Sequence, residues 1–162
     1  MRLAVPKSPS AVARGPITRR VLVELETEGF PVGDNQAPEA EYGWSGEPNG
    51  ENSTFTPWMT LQPLMGQTQR QSGALSDTGT EWSLPYGVFY TGLTRAHVEA
   101  LADKMRKALT DITREVVETV NGNWKIQKIS CSTLGTVNRV GSTYPDYFTQ
   151  TDTFDVWVSK ER

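Results

Sequence analysis

The stretch Trp82–Ile112, WSLPYGVFYTGLTRAHVEALADKMRKALTDI, decides the fold. It opens with a short strand-like run, breaks at Gly92 and continues as a well-signalled helix. Val98, Leu101, Ala102, Met105, Ala108, Leu109 and Ile112 recur at three- and four-residue spacing and form one apolar stripe. Thr94 is a suitable N-cap, and Leu93 before it can staple onto Val98. Arg95, Glu99, Asp103, Lys104, Arg106 and Lys107 fill the opposite, solvated face, with Asp103 and Lys107 one turn apart as an expected pair. A helix with one apolar side, fed directly by a strand, is a cover for a sheet.

Outward from this unit, the 162 residues are enough for one domain with a real core. An apolar content of 36% and a mean hydropathy of −0.48 leave much of the chain for loops or contact surface. Five Trp and five Tyr in so polar a chain serve cores and interfaces alike. The net charge of −3 argues against a protein that coats nucleic acid, which needs a basic footprint. Cys131 is the single cysteine, so an internal disulfide and a Cys-rich zinc site are excluded; it reads as a small strand residue. No run approaches the roughly 18 apolar residues of a membrane-spanning helix, and the N-terminus lacks a signal peptide's apolar segment. The expectation is a chain made in a cytoplasm that stays soluble, with no membrane partner.

Residues 1–16, punctuated by Pro6, Pro9, Gly15 and Pro16, read as an extended N-terminal arm, and 17–162 as a single domain. Between Ile17 and Glu28, strand and helix compete. Helix is preferred because Glu and Arg fill the positions off the apolar side and Gly29 supplies a stop. Residues 30–54 form a long irregular connection rich in Gly, Pro, Asn and Glu; Tyr42 and Trp44 within it read as partner-contacting or as tucked back. Phe55–Leu64 is a short or edge strand bracketed by Pro57 and Pro63, with Trp58, Thr60 and Gln62 set against Met59 and Leu61. Met65–Thr80 is a polar loop, after which Glu81–Thr91 pairs antiparallel with the first strand.

After the central helix, Arg114–Val120 fits either a helical continuation or a strand turning at Asn121-Gly122. Trp124–Cys131 is a strand whose apolar set slips phase, Trp124 and Ile126 first, then Ile129 and Cys131, which predicts a bulge. Leu134–Val140 is a short strand or loop. In Tyr147–Ser159, Phe154, Val156 and Val158 face one way and Asp155 and Trp157 the other. The fold class is therefore α+β: one mostly antiparallel sheet packed by two helices, with long loops and an extended arm.

No catalytic motif occurs: GxGxxG, Walker A, GxSxG and HExxH are all absent. His97, the single histidine, lies in the first turn of a helix with no cysteine nearby and reads as a surface or partly buried helix residue. Asp146, Asp152 and Asp155 lack metal-loop spacing and read as turn and outward strand positions. Basic residues are dispersed, and Arg19-Arg20 is too little for a phosphate site. No catalytic, cofactor or metal residue is expected. A small enzyme with an unrecognised carboxylate site is the reading from a different class.

Three runs carry a resemblance. They are Thr56–Pro63 (TPWMTLQP), Leu84–Gly92 (LPYGVFYTG) leading into Thr94-Arg95 and Ala100–Arg106, and Thr143–Phe148 (TYPDYF) before Thr151–Val158 (TDTFDVWV). Their order resembles the tail-terminator family of long-tailed bacteriophages, also known as tail completion or minor tail proteins, over roughly residues 17–159. The loop at 30–54 and the arm before Gly15 are long beside the family's smaller members. The resemblance implies a virion structural protein without enzymatic activity: a hexameric ring of the chain itself at the head-proximal end of the tail. It caps the major tail tube protein, ends tube polymerisation and joins the head-completion or neck protein. DNA passes through its lumen without specific binding, which mild acidity suits. A head-closure or adaptor protein of the neck is the alternative within the class. Tyr42, Trp44, Arg19 and Arg20 are the candidate interface residues, with Trp58 and Trp82 expected to face the core.

Overall fold

The structure is a computed structural model that describes residues 14–39, 41–64, 68–70, 81–112, 116–120, 122–141 and 146–161. The elements in order are α1 (Arg14–Thr27), β1 (Val32–Asp34), β2 (Gly43–Trp44), β3 (Phe55–Thr56), β4 (Trp58–Pro63), β5 (Thr68–Arg70) and β6 (Glu81–Gly92). They continue with α2 (Arg95–Asp111), β7 (Val116–Thr119), β8 (Gly122–Thr133), β9 (Asn138–Val140) and β10 (Tyr147–Lys160). The main sheet runs β1-β4-β6-β10-β8-β7, with β5 added to β6 and β9 to β10, and β2 and β3 form a separate ribbon. Every pairing is antiparallel except that of β1 with β4. The α+β architecture read from the sequence is the architecture observed.

The three long strands β6, β10 and β8 put apolar residues on one face at every second position. Leu84, Tyr86, Val88 and Tyr90 of β6 lie with Phe154, Val156 and Val158 of β10 and with Trp124, Ile126 and Ile129 of β8, all buried. The phase slip in β8 is a bulge. Trp157 pairs with Lys128 and Val158 with Ile126, so Gln127 is the extra residue that returns Ile129 to the inner face. A second irregularity leaves Ser132 extra between Cys131 and Thr133. On this face lies α2, burying Val98, Ala102, Met105, Ala108 and Leu109 against β6, β8 and β10. Each large side chain so removed from water contributes on the order of 1.5–3 kcal/mol. The Thr94 side chain accepts from the His97 amide at 3.2 Å, as a cap should.

The second helix, α1, buries Ile17, Thr18, Val21, Leu22 and Leu25. It touches both β1 and β7, the two end strands, so the sheet is curled far enough for one helix to bridge its edges. Its first turn is pinned by Arg14, whose guanidinium lies 4.4 Å above the Tyr86 ring and donates to the Leu64 and Pro85 carbonyls. Thr18 Oγ1 and the Tyr86 hydroxyl are 2.8 Å apart. At the other end Gly29, at φ +85°, closes the helix. The Gly29 amide donates to Glu26 O and the Phe30 amide to Leu25 O, each at 3.0 Å, and Phe30 packs on the core.

Several expectations need correcting. The helix starts at Arg14, three residues inside the stretch read as an arm, because a proline in a first helical turn gives up only an amide with no intrahelical partner. Residues 1–13 lie outside the described residues. The connection 30–54 is not structureless: it holds β1, which covers the outer side of β4 and makes that strand internal, and β2, which pairs with β3. Of the loop 65–80, only Thr68–Arg70 is described, as β5. Val116–Thr119 is a strand, with Thr119 opposite Gly122, so the turn reading prevails over the helical one. Asp103 pairs with Arg106 at 3.1 Å rather than with Lys107. The Trp that fills the core is Trp124; Trp82 is half-buried against it, and Trp58 points away from the helices because Met59 and Leu61 take the inner positions.

Both helix ends can be tested singly. Gly29→Ala forces a Cβ into the left-handed region and is expected to cost about 1 kcal/mol, and Thr94→Ala about the same. Urea denaturation midpoints measure both, and Gly29→Asn should lose less.

Candidate functional site

The four candidate residues occupy two surfaces. Tyr42 and Trp44 belong to an aromatic array at one end of the sheet. Tyr42, 44% exposed, meets Trp58 edge-on with ring centres 5.2 Å apart. Trp44 meets Phe55 edge-on at 5.5 Å, and Phe55 lies 5.9 Å from Tyr147. The two-residue β2–β3 pairing brings Trp44 opposite Phe55, and such edge-to-face contacts add about 0.5–1.5 kcal/mol each beyond burial. Among the described residues the buried Trp44 indole N–H has no hydrogen-bond partner. Arg19 and Arg20 lie instead on α1, beside an open groove against β1 and β7. Arg20 pairs with Glu24 at 2.7 Å.

Beside the aromatic array lies the sheet face turned away from both helices. Rows across it follow from register: Trp58, Thr91 and Thr149; Thr60, Phe89 and Thr151; then Ser83 with Trp157 and Lys128. Phe89 is one of the few large apolar side chains left exposed. Lys128 lies 5.0 Å over the Trp157 ring, whose indole N–H donates to Ser130 Oγ. Threonines and spaced aromatics give a pleated surface that is neither a core nor a charged, solvated face. Among the described residues no helix covers it.

Sequence reasoning missed the polar centre under α2. Asp152 is wholly buried, whereas its reading as an outward strand position placed it in solvent. It shares parity with Gln150, Phe154, Val156 and Val158 on β10, and that alternation is the signal that could have placed it. Arg106 Nε donates to Asp152 Oδ2 at 3.0 Å and Nη2 to Oδ1 at 3.1 Å, a two-pronged pair. The Gly135 amide and Gln150 Nε2 also donate to Oδ1, at 3.0 and 3.1 Å. Residue 135 must be glycine, since a Cβ there would run into the Thr151 carbonyl. Burial pushes the Asp152 carboxyl up, but the hydrogen bonds from Arg106, Gly135 and Gln150 outweigh it and hold the group below its ordinary value. Burial, then the Asp152 charge, raise the Tyr90 hydroxyl and the Cys131 thiol.

A carboxylate held by four donated hydrogen bonds and kept ionised is poorly placed to move protons; this centre ties α2, β10 and the 134–137 loop together. Asp146 is taken up by Arg139, Asp155 is half-buried on strand β10, and His97 is exposed on α2. Among the described residues no group of three His, Cys, Asp or Glu side chains is arranged to hold a metal ion.

Asp152→Ala, which leaves Arg106 only the exposed Asp103 and strips the Gly135 and Gln150 donors of their acceptor, is expected to cost about 3 kcal/mol in urea denaturation. Because its folded pKa is depressed, the contribution of Asp152 is present above the unfolded carboxyl value of about 3.9 and lost as pH falls through the folded one. Stability of the unaltered chain should therefore drop below about pH 4, and Asp152→Asn should flatten that limb.

No protein-family model matches the chain and no curated protein is similar to it. Among the solved structures similar to the chain, one matches over 88% of this chain and 92% of its own, at 11% identity and a TM-score of 0.40, a likeness too distant to carry a functional argument.

Proposed function

We propose that the chain is a structural virion protein of tail-terminator type. Copies close into a ring, hexameric in the family that the sequence resembles, at the head-proximal end of a phage tail tube. The ring ends polymerisation of the tube protein and presents a surface to the head-completion or neck protein. The observation that supports this best is the one-sided sheet: both helices lie on one face, and among the described residues no helix covers the other, which exposes Phe89 and is bordered by Tyr42 and Trp44. A closed ring requires two different patches on each subunit that fit one another. The sheet face and the helical side are two such dissimilar patches. Aromatic residues at the border suit a contact that must exclude water. The net charge of −3 suits a lumen that lets DNA slide by. In this reading the chain has no catalytic step, and its polar centre serves rigidity.

Electron microscopy of the purified chain, alone and with tube protein, tests the proposal. Rings, and tubes ended by them, are the expected result; single subunits beside unaltered tubes would overturn it. Phe89→Asp should change the unfolding free energy by no more than about 0.5 kcal/mol and abolish ring formation.

A further inference from the structure

The mouth of the polar centre under α2 is a feature that the ring proposal does not use. A cleft of about 420 Å³ opens there between α2 and the 134–137 loop, within the size range of small-ligand sites. Leu134, 61% exposed, and Val137 form its apolar wall. Glu99 and Asp103 of α2 and Gln150 of β10 form its polar wall. The loop is held in place from behind, since the Gly135 amide donates to Asp152 Oδ1 and residue 135 lies hard against the Thr151 carbonyl. Gln150 is only 4% exposed, and donation from its Nε2 to the ionised Asp152 fixes which way its amide points. Its carbonyl Oε1 has no hydrogen-bond partner among the described residues and opens on the cleft. Water or a ligand must supply the donor it needs.

The charges around the cleft select the ligand's sign. Arg106 is matched by its two-pronged pair with Asp152, and its remaining nitrogen, Nη1, donates to Asp103 Oδ1. Arg95 donates from Nε to Glu99 Oε1 and stands 72% exposed at the rim. Two guanidiniums thus face the three carboxylates of Glu99, Asp103 and Asp152, one negative charge in excess. Neither Lys104 nor Lys107 lines the cleft. A surplus negative charge, open acceptors and an apolar wall fit a cation that carries several donors on an apolar stem. A primary ammonium has three donors for three acceptors, and methylenes behind it can lie along apolar side chains. We infer that the cleft binds a primary ammonium group on an alkyl stem, the ammonium shared by Glu99, Asp103 and Gln150 and the stem laid on Leu134 and Val137. A free alkylamine and the lysine side chain of a protein partner both carry this chemistry. The inference stands apart from the ring reading and can fail separately from it.

Methyl NMR on the full chain, with leucine and valine methyls labelled, tests it in single subunits and in assemblies alike. n-Butylammonium should shift the Leu134 and Val137 methyls along a saturable curve with a Kd of about 1 mM, as befits partly exposed ion pairs. n-Butanol, which lacks the charge, and butyrate, which reverses it, should leave those methyls nearly in place. Asp103→Asn, at a side chain 75% exposed, should weaken n-butylammonium binding about threefold with the other methyl signals unmoved. Nα-acetyl-lysine N-methylamide separates the two sources. Tighter binding than n-butylammonium assigns the cleft to a partner's lysine, and equal or weaker binding assigns it to free amines. Shifts that rise without saturating would overturn the inference. So would equal shifts with n-butanol, and so would an Asp103→Asn chain that binds n-butylammonium as well as the unaltered one.

Discussion

Removal of one face of the β4-β6-β10-β8 sheet from water, beneath two helices, is the constraint behind the remaining features. β10 lies at its centre, paired on one edge with β6 along twelve residues and on the other with β8 from Thr153 to Lys160. Every inward position from Gln150 to Val158 must therefore be apolar or fully hydrogen-bonded. Phe154, Val156 and Val158 meet the requirement by being apolar. Asp152 and Gln150 meet it through Arg106 and Gly135. That exchange places a helix, a strand and a loop in one polar cluster, and the cost of separating its charges holds them in register.

The same sheet explains the placement of α1. A right-handed twist accumulated over six strands turns the end strands toward one another, and α1 spans the remaining gap by touching both β1 and β7. The Arg14 contact on Tyr86 and the tight closure at Gly29 set where that helix begins and ends. The gap it does not fill is the groove, so the groove follows from the curl of the sheet and needs no separate device.

The buried centre is built for rigidity and not for proton transfer. Asp152 has the burial of a catalytic carboxylate but a saturated set of donors and a depressed pKa, the opposite of what a general acid or base at neutral pH requires. The Tyr42–Trp58 and Trp44–Phe55 pairs are held in place by internal edge-on stacking. Side chains held in place in this way lose little freedom on association.

The periodicities that one element can express by itself were legible in the sequence. They include the α2 stripe and its Thr94 cap, the Gly29 stop, the β4–β6 pairing between Pro57 and Pro63, the bulge implied by Trp124, Ile126 and Ile129, and the alternation of β10. Each rests on contacts a few residues apart or on a side-chain period of two or 3.6. Tertiary structure alone decided what depends on distant partners. The three-residue β1 is a strand only because β4 offers it an edge. Trp58 turns outward because Met59 and Leu61 claim the core. Asp152 is inside because Arg106, 46 residues away in sequence, reaches it on the neighbouring helix. Local pattern determines which face of an element is apolar, but only the assembled sheet determines which polar residue on that face finds the charge that lets it stay.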